Sequence, residues 1–121
     1  MRRRETGALG EALAVRYLER CGHTVLERNY RCREGEIDII TRKDDCLVFI
    51  EVRTKRSSMF GTPEESITET KKQHLRAVAE RYRESHPGLP ESWRIDVVAI
   101  ELERNGNVKR LDVIENAIEG E

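Results

Sequence analysis

The order of hydrophobic and polar residues predicts a helix at the start of the chain and three strands after it. Apolar residues recur at the spacing of one helix face, with Thr6 in the position of an N-terminal cap, an end at about Cys21 and Gly22 as the stop signal. Short apolar runs bounded by turn residues follow, and such runs are typical of strands. These strands are predicted at about Thr24–Asn29, Glu36–Thr41 and Cys46–Lys55.

The second half of the chain predicts another helix and two more strands. The segment Thr62-Pro63-Glu64-Glu65 has the form of a capping box with proline at the first helical position, which predicts a short turn. A longer helix is expected from about Thr68 to Glu84, because its apolar residues share one face. The remaining predicted elements are a strand at Trp93–Leu102, a two-residue hairpin turn at Asn105-Gly106, a strand at Val108–Val113 and a helical turn at Asn116–Ile118.

The predicted order α-β-β-β-α-β-β is typical of an α/β protein with a mixed β-sheet flanked by helices. Gly10 lies within the apolar stripe of the first helix, where the missing side chain allows close approach to a sheet. The chain has 121 residues, the length of one domain, so residues 1–121 are interpreted as a single domain.

Two of the predicted strands carry an acidic residue where a buried strand needs apolar ones. Asp38 lies inside an isoleucine-rich run, and Glu51 lies between Ile50 and Val52. Carboxylates are depleted in strands and are seldom fully buried without a partner. Oxygen ligands of this kind suit a hard divalent cation, so the pair predicts a site for Mg²⁺ or Mn²⁺. The alternative is that Arg53 and Arg28 neutralise the two acids through salt bridges.

Two registers of the hairpin between these strands are compatible with the sequence. A four-residue loop, residues 42–45, makes Asp38 and Glu51 diagonal neighbours, whereas a two-residue turn at Asp44-Asp45 places Asp38 directly opposite Glu51. Both registers keep the two side chains on one face, because side chains alternate with period two. Arg53 and Lys55 fall on the face of Glu51 and bring positive charge to the predicted metal site.

The formal net charge of −1 conceals an uneven distribution. Residues 1–83 have a balance of +4 and residues 84–121 a balance of −5. Basic patches on one part of a protein are typical of surfaces that bind an anionic polymer, so DNA is the expected partner, although solvated surface charge is the alternative. The predicted contacts with nucleic acid are Arg28, Arg31, Arg33, Lys55, Arg56, Lys71, Lys72 and Arg76.

Other features of the composition narrow the class of protein. The three cysteines form no C-x-x-C pair and their number is odd, which favours a reducing compartment over a disulfide framework. No apolar run approaches the ~20 residues that a membrane span needs. We therefore expect a cytoplasmic protein with no membrane association, and the sequence leaves a homodimer open. All three histidines are interpreted as surface residues and Trp93 as a core residue.

Six segments carry a recognisable pattern: residues 10–11, 28–31, 35–40, 49–53, 61–63 and 94–98. In order and spacing they resemble the YraN-like family of small bacterial proteins, which is similar to the PD-(D/E)XK nuclease superfamily and to archaeal Holliday junction resolvases. The resemblance implies a restriction-endonuclease-like fold. It also implies that Glu11, Asp38 and Glu51 are metal ligands and catalytic residues.

Position 53 departs from the nuclease motif, which has lysine where this chain has arginine. Arginine stays charged and cannot act as a base, although it can neutralise charge on a phosphate in the transition state. Lys55, or Lys71 of the second helix, is a candidate for the missing ammonium group. The catalytic set predicted from the sequence is Glu11, Asp38, Glu51, Arg53 and Lys55.

Three functions are compatible with this sequence. The first, implied by the resemblance, is a metal-dependent DNA endonuclease that hydrolyses phosphodiesters, with branched or recombination intermediates as substrates. The second is a catalytically inactive nucleic-acid-binding or assembly module of the same fold, which the modest net charge and Arg53 favour. A protein-interaction domain without a nucleic-acid role is a third alternative. Glu36 is expected to be exposed to solvent, and Asp96 is expected to have a structural role.

Overall fold

The computed structural model describes residues 3–56 and 61–119. In these ranges the chain forms two helices, five strands and one 3₁₀ turn. Their order is α-β-β-β-α-β-β, with the 3₁₀ turn before the second helix, which confirms the layout expected from the sequence. The elements are α1 (Arg3–Arg20), β1 (Thr24–Cys32), β2 (Gly35–Lys43), β3 (Cys46–Arg56), the 3₁₀ turn (Glu64–Ser66), α2 (Glu69–Ser85), β4 (Ser92–Leu102) and β5 (Val108–Ile118).

The five strands form one mixed sheet in the order β1-β2-β3-β4-β5. Strands β1, β2 and β3 are antiparallel neighbours, β3 and β4 are parallel, and β4 and β5 are antiparallel. The parallel pair follows from the crossover that contains α2, because parallel neighbours need a long connection. Strand β3 therefore lies at the centre of the sheet.

Each face of the sheet is covered by one helix. The α2 face buries Leu75, Val78, Ala79 and Tyr82 of the helix against strand residues that include Phe49. On the opposite face, helix α1 packs Ala14 and Leu18 against a second set of strand residues. The largest side chains of that second set are Ile39, Ile50, Ile100 and Leu102. Trp93, expected in the core, is partly buried and packs against the α2-side cluster.

Helix α1 ends as the sequence predicts but begins earlier. Gly22 has a φ of 97°, its backbone N–H donates to the carbonyl of Glu19, and the N–H of His23 donates to the carbonyl of Leu18. This pair of hydrogen bonds is a Schellman motif, which needs a left-handed residue at the position of Gly22. The prediction that Thr6 caps the helix is wrong, since the helix begins at Arg3.

The capping box predicted before α2 is confirmed, and α2 has a cap of its own. The backbone N–H of Thr62 donates to Glu65 Oε1 at 2.5 Å, and the N–H of Glu65 donates to Thr62 Oγ1 at 3.3 Å, so the pair forms a reciprocal capping box. At the start of α2 the hydroxyl oxygen of Thr68 accepts from the backbone N–H of Lys71 at 3.1 Å. The capping box lies at the start of the 3₁₀ turn, and Thr68 is the N-cap of α2.

The C-terminal hairpin differs from the prediction in two places. The turn is centred on Arg104 and Asn105, because the N–H of Gly106 donates to the carbonyl of Glu103 at 2.9 Å and Gly106 takes the left-handed position that follows. Residues Asn116–Ile118 belong to β5 and do not form a helical turn. The pairing of β4 with β5 shifts between Ile95 and Val97, so this part of β5 is a bulge in the strand.

None of the described helices is long and apolar enough to cross a membrane.

Candidate functional site

Asp38 of β2 and Glu51 of β3 lie one position beyond Ile39 and Ile50, the cross-strand pair at the end of the β2–β3 ladder. The hairpin pairs Lys43 with Cys46 and Ile39 with Ile50, which is the register of the two-residue turn at Asp44-Asp45. The four-residue alternative is thereby excluded. Asp38 is half-buried, and its Oδ2 accepts a hydrogen bond of 2.8 Å from the backbone N–H of Val52. Glu51 is buried, with 4% of its surface exposed.

Burial and mutual repulsion make both carboxylates hard to ionise. Burial raises the pKa of Glu51 to about 8, and the charge of Asp38 adds to the rise. Burial also raises the pKa of Asp38, although the hydrogen bond from Val52 opposes the rise. A cation that lies close to both carboxylates would therefore stabilise their ionised forms.

One oxygen of Glu51 is paired and the other is not. Arg53 Nη2 lies 3.0 Å from Glu51 Oε2, and Lys71 Nζ lies 3.9 Å from the same oxygen. Glu51 Oε1 is buried and has no hydrogen-bond partner among the described residues, and the same holds for Arg53 Nε. A buried polar atom without a partner is costly, so such an atom in a folded protein requires an explanation. The alternative in which Arg53 neutralises Glu51 therefore accounts for only one of the two carboxylate oxygens.

Glu11 of α1 interacts electrostatically with Asp38 of this pair. Burial raises the pKa of Glu11, the charge of Asp38 raises it further, and the charge of Arg28 together with a hydrogen bond from the Asn29 side chain lowers it. Within the described ranges no group of three His, Cys, Asp or Glu side chains is arranged to hold a metal ion. The role of Glu11 as a ligand stays a prediction.

The ammonium group of Lys55 contacts a backbone carbonyl of the protein. Lys55 is buried, and this group donates a hydrogen bond to the carbonyl of Gly61. The two residues flank the segment 57–60, which lies outside the described residues. Lys55 therefore anchors the chain after β3, and the prediction that it acts in catalysis or binds DNA is not tested by this contact.

The basic residues predicted to bind nucleic acid fall into three places. Arg28, Arg31 and Arg33 belong to the β1–β2 hairpin, Arg56 ends β3, and Lys71, Lys72 and Arg76 lie on α2. Several of them already contact oxygen atoms of the protein. Arg31 pairs with Glu36 at 3.0 Å, while Arg76 pairs with Glu69 at 3.6 Å and donates to the carbonyl of Glu119 at 2.5 Å.

Glu36 and Asp96, the two other acidic residues considered in the sequence, have environments similar to those predicted. Glu36 is only half-buried and ion-paired with Arg31, rather than fully exposed. Asp96 is fully buried, accepts from Arg94 Nε at 3.0 and 3.1 Å, and accepts from the backbone N–H of Asn116 at 2.9 Å. Asp96 therefore stabilises the bulge in β5, as a structural residue would.

The prediction that all three histidines are surface residues is wrong for His23. His23 is buried, and its Nδ1 forms a hydrogen bond of 2.7 Å with Thr41 Oγ1. Its position directly after the stop signal of α1 hid this role, because a turn residue is normally exposed. His86 is half-buried and stacks on the ring of Tyr82 with a centroid distance of 3.9 Å, and His74 is exposed.

Sequence reasoning also missed an arginine that joins three acids. Arg110 of β5 contacts Glu101 at 2.6 Å, Asp112 at 2.7 Å and Glu64 at 3.0 Å. Through Glu64 this network ties the 3₁₀ turn that follows β3 to the β4–β5 hairpin. Glu64 and Arg110 lie 46 positions apart, so no local pattern indicates the contact.

Comparison with known proteins supports the resemblance found in the sequence. The chain is 41% identical over 117 residues to a UPF0102 protein of Caldicellulosiruptor saccharolyticus, an alignment that covers 97% of this chain and 99% of the relative. It is 46% identical over 117 residues to a UPF0102 protein of Moorella thermoacetica, covering 97% of this chain and 98% of the relative. A UPF0102 protein of Pelotomaculum thermopropionicum is 43% identical over 115 residues, covering 95% and 96%. The family profile described as "Uncharacterised protein family UPF0102" matches residues 10–100, and the chain therefore belongs to this family.

Proposed function

We propose that this protein is a metal-dependent DNA endonuclease that hydrolyses phosphodiester bonds, with Asp38 and Glu51 as the centre of its site. The observation that carries the proposal is the oxygen Oε1 of Glu51, which is buried beside a second carboxylate and has no hydrogen-bond partner in the part of the chain that the structure describes. Proteins seldom keep such an atom unless it contacts an ion, a water molecule or a ligand.

The donor set fits a hard divalent cation. Both groups are carboxylates, and Mg²⁺ and Mn²⁺ favour oxygen ligands. Burial and, after it, the charge of Asp38 raise the pKa of Glu51 to about 8, and a cation close to both carboxylates would stabilise their ionised forms. When bound, the metal supplies Lewis acidity toward a phosphoryl oxygen and a bound water of lowered pKa.

The protein groups around the pair position the site and balance its charge. The backbone N–H of Val52 holds the Asp38 carboxylate against β3. The Arg53 guanidinium, 29% exposed, can turn from Glu51 toward a phosphate, where its charge stabilises the pentavalent transition state. The rigid β2–β3 hairpin keeps these groups in one arrangement, and such preorganisation favours catalysis.

A binding module without hydrolysis is the second candidate. Arg53 stands where the nuclease motif has lysine, and its contact with Glu51 at 3.0 Å neutralises one carboxylate oxygen within the protein itself. In this function the same surface binds nucleic acid and no bond is cleaved.

Two measurements test the proposal. Titration calorimetry with Mn²⁺ and Mg²⁺ should detect binding to the wild type and a large loss in Asp38→Asn and Glu51→Gln. Incubation with linear, flapped and four-way DNA should give cleavage that depends on the metal and is abolished by either substitution.

A matched control comes from the same hairpin. Asp45 is an exposed acid in the β2–β3 turn, and Asp45→Asn should leave both metal binding and cleavage unchanged. Wild-type protein that binds DNA but neither metal ion would exclude the nuclease and leave the binding module.

A further inference from the structure

We infer that Lys71, reaching from helix α2, is the ammonium group that contacts a DNA phosphate at the carboxylate pair, and that Lys55 is an internal anchor. The inference rests on the proposed function in that DNA is the substrate. It assigns a role that the sequence leaves open between two lysines.

Lys71 is held close to the pair by the start of its helix. Thr68 caps α2, and the backbone N–H of Lys71 donates to the Thr68 hydroxyl oxygen at 3.1 Å, which places Lys71 in the first turn. Its ammonium lies 3.9 Å from Glu51 Oε2, and 32% of its side chain is exposed. Lys71 thus contacts the buried carboxylate and solvent at once, as a group that meets an incoming phosphate must.

The position is electrostatically unusual. The N-terminus of a helix carries partial positive charge, so a lysine in the first turn is disfavoured unless an anion lies close by. Glu51 supplies that anion within the protein, but Arg53 already lies 3.0 Å from the same oxygen. Because two cations lie on this one oxygen, Glu51 keeps a partner when Lys71 contacts a phosphate.

Lys55 cannot serve this role without giving up its own contact. Along a strand, four residues span about 13 Å, so the backbone of Lys55 lies far from that of Glu51. Its side chain is buried and its ammonium donates to the carbonyl of Gly61. Lys55 therefore holds Gly61, which precedes the 3₁₀ turn, against β3.

Lys72 offers a matched control on the same helix. It is the next residue after Lys71, carries the same charge and is also half-buried. Successive residues point about 100° apart around a helix axis, so Lys72 does not share the direction of Lys71 toward Glu51.

The test measures DNA binding, and cleavage is not needed for it. Affinity of the full chain for a short duplex and a four-way junction is measured over a series of salt concentrations, in EDTA and in Ca²⁺. Loss of one phosphate contact should reduce the slope of log affinity against log salt by about 1. We expect this reduction in Lys71→Gln and a restored slope in Lys71→Arg. In Lys55→Gln we expect an unchanged slope with a lower melting temperature.

A double-mutant cycle separates a phosphate contact at the carboxylate pair from general surface charge. The effects of Lys71→Gln and Glu51→Gln on DNA affinity should be non-additive, because the two groups are in contact, whereas those of Lys72→Gln and Glu51→Gln should add. A wild-type salt slope in Lys71→Gln, or additive effects with Glu51→Gln, would overturn the inference and leave the nuclease proposal standing. If the wild type binds DNA without cleaving it, the nuclease proposal alone is excluded. If the wild type binds no DNA, the nuclease proposal and the inference about Lys71 are both excluded.

Discussion

Gly10 of α1 lies directly on Thr54 of β3, with no room for a side chain between them. A Cβ atom added to Gly10 would lie 3.0 Å from Thr54 Cβ and 3.2 Å from Thr54 Cγ2, and it would overlap the hydroxyl oxygen. The sequence predicts this close approach, because Gly10 lies in the apolar stripe of α1. The contact determines the distance between α1 and the sheet that carries Glu51.

Gly10→Ala should therefore destabilise the protein, although alanine favours helix formation more than glycine does. Overpacking of this kind typically costs about 1–3 kcal/mol. Gly7 lies in the same helix with nothing within 4 Å of an added Cβ, so Gly7→Ala should raise stability by up to about 1 kcal/mol. Chemical denaturation of both variants provides the measurement, and equal effects at the two positions would contradict the close contact.

Glu51 should make the metal-free protein less stable as pH rises. Its pKa is near 4.5 in the unfolded chain and about 8 in the folded protein, so the folded state binds more protons between these values. The free energy of unfolding must then fall as pH rises from about 4.5 to about 8. Glu51→Gln should remove this part of the pH dependence and stabilise the protein at pH above 8, as thermal unfolding in EDTA over a pH series would show. A pH dependence equal to that of the wild type would contradict the raised pKa.

His23 should have the opposite pH dependence. Burial lowers its pKa from 6.5, so the unfolded chain takes up a proton before the folded protein does. The contribution of His23 to the free energy of unfolding is therefore complete above pH 6.5 and decreases as pH falls below that value. His23→Gln should reduce this fall while retaining a polar partner for Thr41, and the exposed His74→Gln should leave it unchanged. Urea denaturation across the acidic range is the measurement.

Arg53 decides between the nuclease and the binding module. If Arg53 stabilises the transition state, Arg53→Ala should lose most cleavage, with about 3 kcal/mol at stake by analogy with a single oxyanion donor. Arg53→Lys restores the residue of the nuclease motif and should preserve or raise the rate. Single-turnover cleavage with Mg²⁺ and Mn²⁺ measures both. If neither the wild type nor Arg53→Lys cleaves any DNA substrate while both still bind DNA, the result would favour the binding module.

The basic residues of the first 83 positions should bind DNA through its phosphates. Charge reversal at Arg28, Arg33 and Lys72 is expected to weaken binding to all sequences alike, and affinity should fall as salt rises. Arg104 and Lys109 belong to the acidic part of the chain, and their reversal should have little effect. Fluorescence anisotropy with two unrelated duplexes compares these variants. Binding that depends neither on salt nor on the charge reversals at Arg28, Arg33 and Lys72 would point to a protein-interaction domain.

Local sequence was sufficient for the elements and for part of the site. The order of helices and strands, the stop at Gly22 and the capping box at Thr62 each depend on neighbours within a few residues. The same holds for Asp38 and Glu51, because an acid within an apolar strand is visible in the alternation of side chains itself. Their shared face followed from that alternation in either register.

Tertiary structure decided what depends on contacts between distant segments. The packing of β2, β3 and α2 settles which register the hairpin takes, which lysine reaches Glu51 and which oxygen of Glu51 is paired with Arg53. The burial of His23 against Thr41 and the network around Arg110 have the same origin, as does the continuation of β5 through Asn116, where Asp96 holds the bulge. Such contacts join residues up to 46 positions apart, and burial and electrostatic interaction depend on distance in space. The sequence by itself determined the candidate groups, and only the fold determined which of them meet.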